Sequence, residues 1–215
     1  MKKNLLAIIK KNPLIFKIIK FSRNEIFSLF SLFQFYKISK MDLVFLELGS
    51  EKKGKNGWIT ISTCGSDIFW DLRKGIPLKD KSVDKIYSSH LLEHIPYQDL
   101  IPFLKECRRV LKNKGIFSTC VPNARNYIEA YFNKKTFGDK QNRFQPALVE
   151  TGSALDEINF IAYMNGQHNY LFDEENLLNT LSKANFKNVK LRKYDPTLDF
   201  KERDFESIYA IASRN

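Results

Sequence analysis

Cysteine and histidine are scarce, with three of each in 215 residues. Cys64, Cys107 and Cys120 stand at unrelated positions and form no CxxC pair. A disulfide-stapled scaffold is excluded, and this usage suits a reducing cytoplasm. Long apolar runs are missing too: none approaches the ~18 residues that suggest a membrane span. Acidic residues are nearly absent from the first 40 positions, where Glu25 stands alone against nine Lys/Arg. Most of the net charge of +11 sits there, and residues 41–215 are close to balance. Nucleic-acid binding by the main body is therefore not expected. No internal repeat and no low-complexity segment occurs. What is present is apolar: 43% hydrophobic residues, with 18 Phe, exclude a disordered chain and suffice for one well-cored domain.

Residues 1–40 read as a basic helical arm, with apolar stretches at Leu14 to Phe21 and Ile26 to Phe35. Lys10, Lys11, Lys17 and Lys20 interrupt the apolar run, whereas a signal-peptide core needs ~7–15 uninterrupted apolar residues. A basic helix with an apolar face either lies on an anionic membrane surface or packs on the domain or on a second subunit. Both outcomes use the same amphipathic pattern.

Residues 41–215 read as one α/β domain. Asp42 to Leu48 is a buried strand that enters the polar, glycine-bearing loop Gly49 to Gly57. Trp58 to Ile61 is a second strand. The nine intervening residues are too few for a full crossover helix, which needs at least ~10–12. Asp67 to Asp71 is a short third strand. Val83 to Ser89 is a fourth, ending in the polar cluster His90, Glu93 and His94. Leu100, Phe103, Leu104, Cys107, Val110 and Leu111 then recur at helical spacing, and Gly115 closes the helix. Ile116 to Val121 is the fifth strand. Residues 124–170 form a less regular insertion suited to substrate recognition. Asp173 caps a helix with Glu174 and Glu175 in its first turn. Val189 to Tyr194 and Ser207 to Ser213 close the domain as strands.

In open α/β sheets, ligands sit beyond the carboxyl ends of the strands. The order of motifs, from LELGSEKKGKNGWITIS through DIFWDLRKGIPLKDKSVDKIYSSHLLEHI to FDEENLLNTL, resembles the class I S-adenosylmethionine-dependent methyltransferases. More narrowly, it is similar to the small type found in bacterial surface-polysaccharide gene clusters. The resemblance covers about residues 42–213 and implies a Rossmann-like, mostly parallel sheet. It implies S-adenosylmethionine as cofactor, with Glu47, Gly49, Ser62, Asp71, Leu72 and Ser89 around it. Two positions depart from the family pattern. Glu51 stands where a second glycine is expected, and Ser62 replaces the acid that would grip the ribose hydroxyls.

Methyl transfer to a hydroxyl needs an aligned acceptor and a general base. His90 is the first candidate and His94 the second, with Glu93 placed to orient an imidazole. His168 matches a polar pre-helix stretch of the family and is a candidate border of the acceptor site. HLLEH also fits the H-x-x-E-H pattern of zinc hydrolases. That chemistry needs both histidines inside one helix, but a strand runs up to His90 and Pro96 follows His94. Pro is tolerated only near a helix start. Zinc hydrolysis is therefore set aside, and no metal ligand set is assigned.

The expectation is methyl transfer to a hydroxyl of a sugar or glycan precursor, with no nucleic-acid partner. The expected place is the cytoplasm, with residues 1–40 as a contact to the inner membrane face or to a second copy in a homodimer. The competing expectation, motivated by Glu51 and Ser62, is a repurposed methyltransferase fold serving as a non-catalytic binding subunit in glycan assembly.

Overall fold

Apolar residues alternate along the strands, and the sheet sorts them onto two faces. The computed structural model describes residues 29–137 and 146–215. Seven strands form one sheet: β1 (Phe45–Leu48), β2 (Trp58–Ser62), β3 (Ile68–Phe69), β4 (Val83–Ser89), β5 (Leu111–Pro122), β6 (Lys187–Leu191) and β7 (Ser207–Ser213). Their order is β3-β2-β1-β4-β5-β7-β6. β1 to β5 pair in parallel, and β7 runs antiparallel between β5 and β6. The reversal from β1 outward to β4 creates a switch point where strand ends diverge, between Leu48 and Ser89.

The helices are α1 (residues 29–38), α2 (Tyr97–Val110), α3 (Ala124–Phe132), α4 (Leu155–Tyr163) and α5 (Glu174–Lys183). Leu46, Leu48, Ile61, Ile68, Ile86, Phe117 and Val121 form one sheet face. They pack against Leu100, Phe103, Leu104, Cys107 and Val110 of α2 and Leu177 and Leu181 of α5. α1 joins the same core: Phe35 meets Trp70 edge-on at 5.5 Å, and the Ser31 hydroxyl donates to the Phe69 carbonyl at 2.6 Å. The C-terminal part of the basic arm is thus a packed helix. The remainder, residues 1–28, lies outside the described residues.

No helix joins β1 to β2, as the short spacing predicts. The Asp67 carboxylate holds this loop instead. It accepts N–H bonds from Gly54 (2.8 Å) and Thr60 (3.1 Å) and the Thr60 hydroxyl (2.9 Å). Burial alone would raise this carboxyl, but these bonds prevail and hold it below the ordinary value. Gly65 lets the next turn approach, since a Cβ there would lie 2.0 Å from the Glu51 carbonyl oxygen.

The structure moves several predicted boundaries. β3 shrinks to Ile68–Phe69, because Trp70 and Asp71 turn into a 3-10 segment at Leu72–Lys74. β5 begins at Leu111, and its register with β4 jumps between Val83 and Lys85. The Asn113-Lys114-Gly115 turn is therefore a bulge within the strand rather than a separate helix stop. β6 ends at Leu191, not Tyr194: the Arg192 N–H still donates to the Tyr209 carbonyl of β7 at 3.0 Å, while its side chain turns to a buried ion pair. Its guanidinium lies 2.5 and 2.7 Å from the two oxygens of Asp199, a residue whose side chain is fully buried. The Tyr87 hydroxyl also donates to Asp199 at 2.9 Å, and Arg192 Nε donates to Ser118 Oγ. This network folds the β6–β7 connection back over β4 and β5.

Candidate functional site

The residues predicted around the cofactor and as bases lie at or just beyond the carboxyl ends of parallel strands, and His168 lies in the insertion. At the end of β1, Glu47 is half-buried. Burial raises its carboxyl above the ordinary value, with Ser50 hydrogen bonding in the opposite sense. Gly49 follows with φ +84, a conformation that L side chains rarely adopt. Its N–H donates to the Ile61 carbonyl at 2.8 Å, tying the turn to β2. A Cβ at Gly49 would meet Leu91 Cδ1 at 2.8 Å, so the residue after His90 packs directly on the glycine. Glu51 is exposed, and its carboxylate is solvated.

Ser62 ends β2 with its N–H and carbonyl both engaged by Ser66 Oγ. Asp71 caps the 3-10 turn after β3, and Arg73 clamps its carboxylate with contacts of 2.7 to 3.2 Å. The Arg73 hydrogen bond holds it below the ordinary carboxylate range. Asp71 therefore braces the turn, and Leu72 beside it is the member left to face a ligand. A groove of about 420 Å³ opens there, between Leu72, Ile95, Pro102 and Phe103. Arg73, Lys74, Asp99 and Glu106 also line it, and Glu47, Gly49 and His90 do not.

β4 carries the most unusual cluster. Ser89 Oγ accepts from Cys120 Sγ at 3.3 Å. His90 takes φ +48, a strained backbone that clusters at functional sites. Its Nε2 lies 2.8 Å from Ser207 Oγ, and the Ser207 hydroxyl donates its only proton to the Arg203 carbonyl at 2.6 Å. Nε2 must therefore carry the imidazole hydrogen and donate to Ser207. That leaves Nδ1 as a bare lone pair, 3.8 Å from Glu93 Oε1. Burial depresses the His90 pKa well below the ordinary value, so the ring is neutral at neutral pH.

Glu93 and His94 sit in a 3-10 turn before α2, in agreement with the helix start placed after Pro96. Glu93 is fully buried, and neither carboxylate oxygen has a hydrogen-bond partner among the described residues. Burial pushes its pKa up to about 8. His94 Nδ1 contacts the Gln167 carbonyl at 3.1 Å, so Nδ1 bears the hydrogen. Its bare Nε2 stands 3.9 Å from Glu93 Oε1. His168, buried at the end of the insertion, packs on His94 with ring centroids 4.8 Å apart. Its Nδ1 donates to the Ile161 carbonyl at 2.6 Å, and burial lowers its pKa to about 4.

The fold thus brings all three histidines of the chain around one glutamate. Two partners were not singled out from sequence. Ser207, which fixes the His90 tautomer, begins β7 with no motif around it. The Arg192–Asp199 pair joins positions that no periodicity marks.

Residues 34–119 match the sequence profile of a family described as a methyltransferase domain. No curated protein matches the chain. Among solved structures, an S-adenosylmethionine (SAM) dependent methyltransferase of Archaeoglobus fulgidus is 17% identical. It aligns over 87% of this chain and 94% of its own, with a TM-score of 0.50. A SAM-dependent methyltransferase of Thermotoga maritima is 14% identical over 97% of this chain and 99% of its own, with a TM-score of 0.48. Phosphoethanolamine N-methyltransferase 2 of Haemonchus contortus, solved with S-adenosyl-L-methionine, is 11% identical over 85% of this chain and 51% of its own, with a TM-score of 0.44. The sheet order and the Archaeoglobus match make this the class I methyltransferase fold.

Proposed function

We propose that this chain is an S-adenosylmethionine-dependent methyltransferase whose acceptor is a hydroxyl of a sugar or glycan precursor. The observation that carries the reading is His90, a neutral imidazole with a fixed tautomer and a bare nitrogen at the end of β4. It lies next to the Gly49 turn within the segment that matches the methyltransferase domain.

The residues at the strand ends fit the cofactor at its charged end. The half-buried Glu47 carboxyl, raised by desolvation, is a receptor for an ammonium group. Ser62 offers one neutral hydroxyl toward a ribose, and Leu72 offers an apolar side to a purine ring. When bound, the cofactor supplies an electrophilic methyl group on a sulfonium. The chain's own work is to align an acceptor hydroxyl and take its proton. His90 Nδ1 receives that proton, and Ser207 keeps Nε2–H pointed away from the acceptor. The resulting imidazolium lies beside the Glu93 carboxyl, 3.8 Å away. The test is release of S-adenosylhomocysteine with a panel of nucleotide sugars, free sugars and amines. Turnover confined to sugar hydroxyls supports the acceptor class, and turnover confined to amines overturns it.

A repurposed, non-catalytic binding role is the second reading. Leu91 packed over Gly49 and Arg73 clamped on Asp71 both favour it, because they occupy groups the family uses around the cofactor.

The arm extends the proposal to location. Leu29, Phe30, Leu32, Phe33 and Tyr36 of α1 are exposed, with Lys37 and Lys40 on the same segment. Such a face is suited to an anionic membrane surface on the cytoplasmic side. No helix among the described residues is long and apolar enough to cross a membrane. Co-sedimentation with vesicles containing phosphatidylserine is expected for the full chain and weakened when Phe30, Phe33 and Tyr36 of the exposed face are replaced by Ser. Equal recovery in the supernatant with and without vesicles, with the chain dimeric, would favour a homodimer contact instead.

A further inference from the structure

Glu93 poses a problem that the methyl-transfer reading does not solve. It is fully buried, and neither oxygen is hydrogen-bonded among the described residues. The groups facing Oε1 are His90 Nδ1 at 3.8 Å and His94 Nε2 at 3.9 Å. Both nitrogens are bare, because the other nitrogen of each ring holds the hydrogen against Ser207 or the Gln167 carbonyl. An ionised Glu93 therefore faces two ring lone pairs, with its own backbone N–H and the Arg203 charge acting in its favour. A protonated Glu93 cannot bridge the gap either, since 3.8 Å is too long for an O–H···N bond. A cation placed between Glu93 Oε1 and His94 Nε2 gives the carboxylate a counter-charge and the His94 lone pair a partner.

His168 completes the set. One ligand atom from each of Glu93, His94 and His168 lies within 4.8 Å of the others. His94 and His168 each donate Nδ1–H to a backbone carbonyl, at 3.1 and 2.6 Å. That is the outer-shell arrangement of metal-bound histidines, which fixes the ring and leaves Nε2 for the ion. Zinc held by imidazole and carboxylate at about 2.0–2.2 Å sets its tetrahedral ligand atoms about 3.3 Å apart. The 3.9 Å between His94 Nε2 and Glu93 Oε1 closes to that by side-chain rotation. The partly exposed edge of His94 supplies an entry path.

We propose that Glu93, His94 and His168 bind one divalent transition metal, with zinc as the best fit to a two-imidazole, one-carboxylate set. The ion joins the end of β4 to the insertion that carries His168. This ligand set differs from the H-x-x-E-H pattern, because His90 sits on a strand end and keeps its base role. It becomes visible only when the fold brings His168 to His94. The site does not depend on the methyl-transfer reading, and metal content is measured without turnover.

The test uses the untagged full chain, stripped of metal with a chelator, incubated with zinc and desalted. Metal analysis by mass spectrometry is expected to find about one zinc per chain, as a structural site retains its ion. His168→Ala and Glu93→Gln are expected to lower zinc affinity at least about tenfold, measured by competition with a chromophoric chelator, since loss of an outer-shell partner alone costs about that much. His90→Ala keeps the metal. Glu93→Gln preserves side-chain size and carries the test if His168→Ala does not fold. Cobalt(II) in place of zinc should develop the visible absorption of a four-coordinate site without a thiolate band. Retention of less than about a tenth of an equivalent by the folded wild type overturns the site. So does an unchanged hexaaqua cobalt spectrum, or equal loss of metal in His90→Ala.

Discussion

His90→Ala lowers methyl transfer by about 10²–10⁴-fold, the range for loss of a positioned general base. Cofactor affinity is expected to stay unchanged, because Glu47, Gly49 and Ser62 lie on other strand ends. The pH profile separates this role from a structural one. Burial depresses the His90 pKa, so the base is neutral and active across neutral pH. Wild-type rate falls only as pH drops through that depressed value and the ring takes up a proton. In the variant this acid limb disappears. Ser207→Ala is a milder probe: the hydroxyl orients the ring without touching the acceptor, so kcat falls less and the limb survives. Steady-state kinetics over a pH series distinguish these outcomes. A His90→Ala enzyme with wild-type kcat contradicts the assignment.

Arg192→Ala destabilises the fold by about 3–5 kcal/mol, the cost of breaking a buried pair by removing one partner. Asp199 is fully buried at the side chain, so its carboxylate would remain without a counter-charge, held only by Tyr87 and the Asp195 N–H. At about 2–4 °C per kcal/mol for a chain of this size, the midpoint of thermal unfolding falls by about 10 °C. Function suffers with it. The same connection carries Arg203 and leads into Ser207, the two residues that fix the His90 ring. Thermal and urea unfolding of the purified variant measure the effect. A loss below about 1 kcal/mol, the level of an exposed ion pair, contradicts this account of the network.

Local pattern carried much of the fold into view. The apolar alternation of Leu46 and Leu48, the continuous run at Ile86-Tyr87 and the helical spacing from Leu100 to Val110 each mark a buried face. The Asp173 cap appears as expected, with its carboxylate accepting from the Asn176 N–H at 2.8 Å. The compressed loop after Leu48 was readable from its length alone. What pattern does not reveal is a polar pair that closes across distant segments. Arg192 looks like one more strand residue, and its backbone does stay bonded to β7, but its side chain closes on Asp199. The site shows the same division. His90, Glu93 and His94 lie in one short motif, and the turn before Pro96 was predictable from proline chemistry. The roles within that motif were not. The His90 tautomer is set by Ser207, and the carboxylate-facing nitrogen of His94 follows from the Gln167 carbonyl. Asp71 reads as a cofactor contact in sequence, yet its neighbour Arg73 clamps it, a local interaction that spacing alone does not disclose.

The most direct test of the central claim is calorimetric titration of the folded full chain with S-adenosylmethionine and with S-adenosylhomocysteine. The methyltransferase reading predicts saturable one-site binding of both, with dissociation constants on the order of micromolar, as is typical of enzyme–substrate pairs. Glu47→Gln should weaken both ligands, because each carries the same ammonium group. Absence of heat and of competition with either ligand, in a chain shown to be folded, would contradict the reading and leave the non-catalytic binding role in its place.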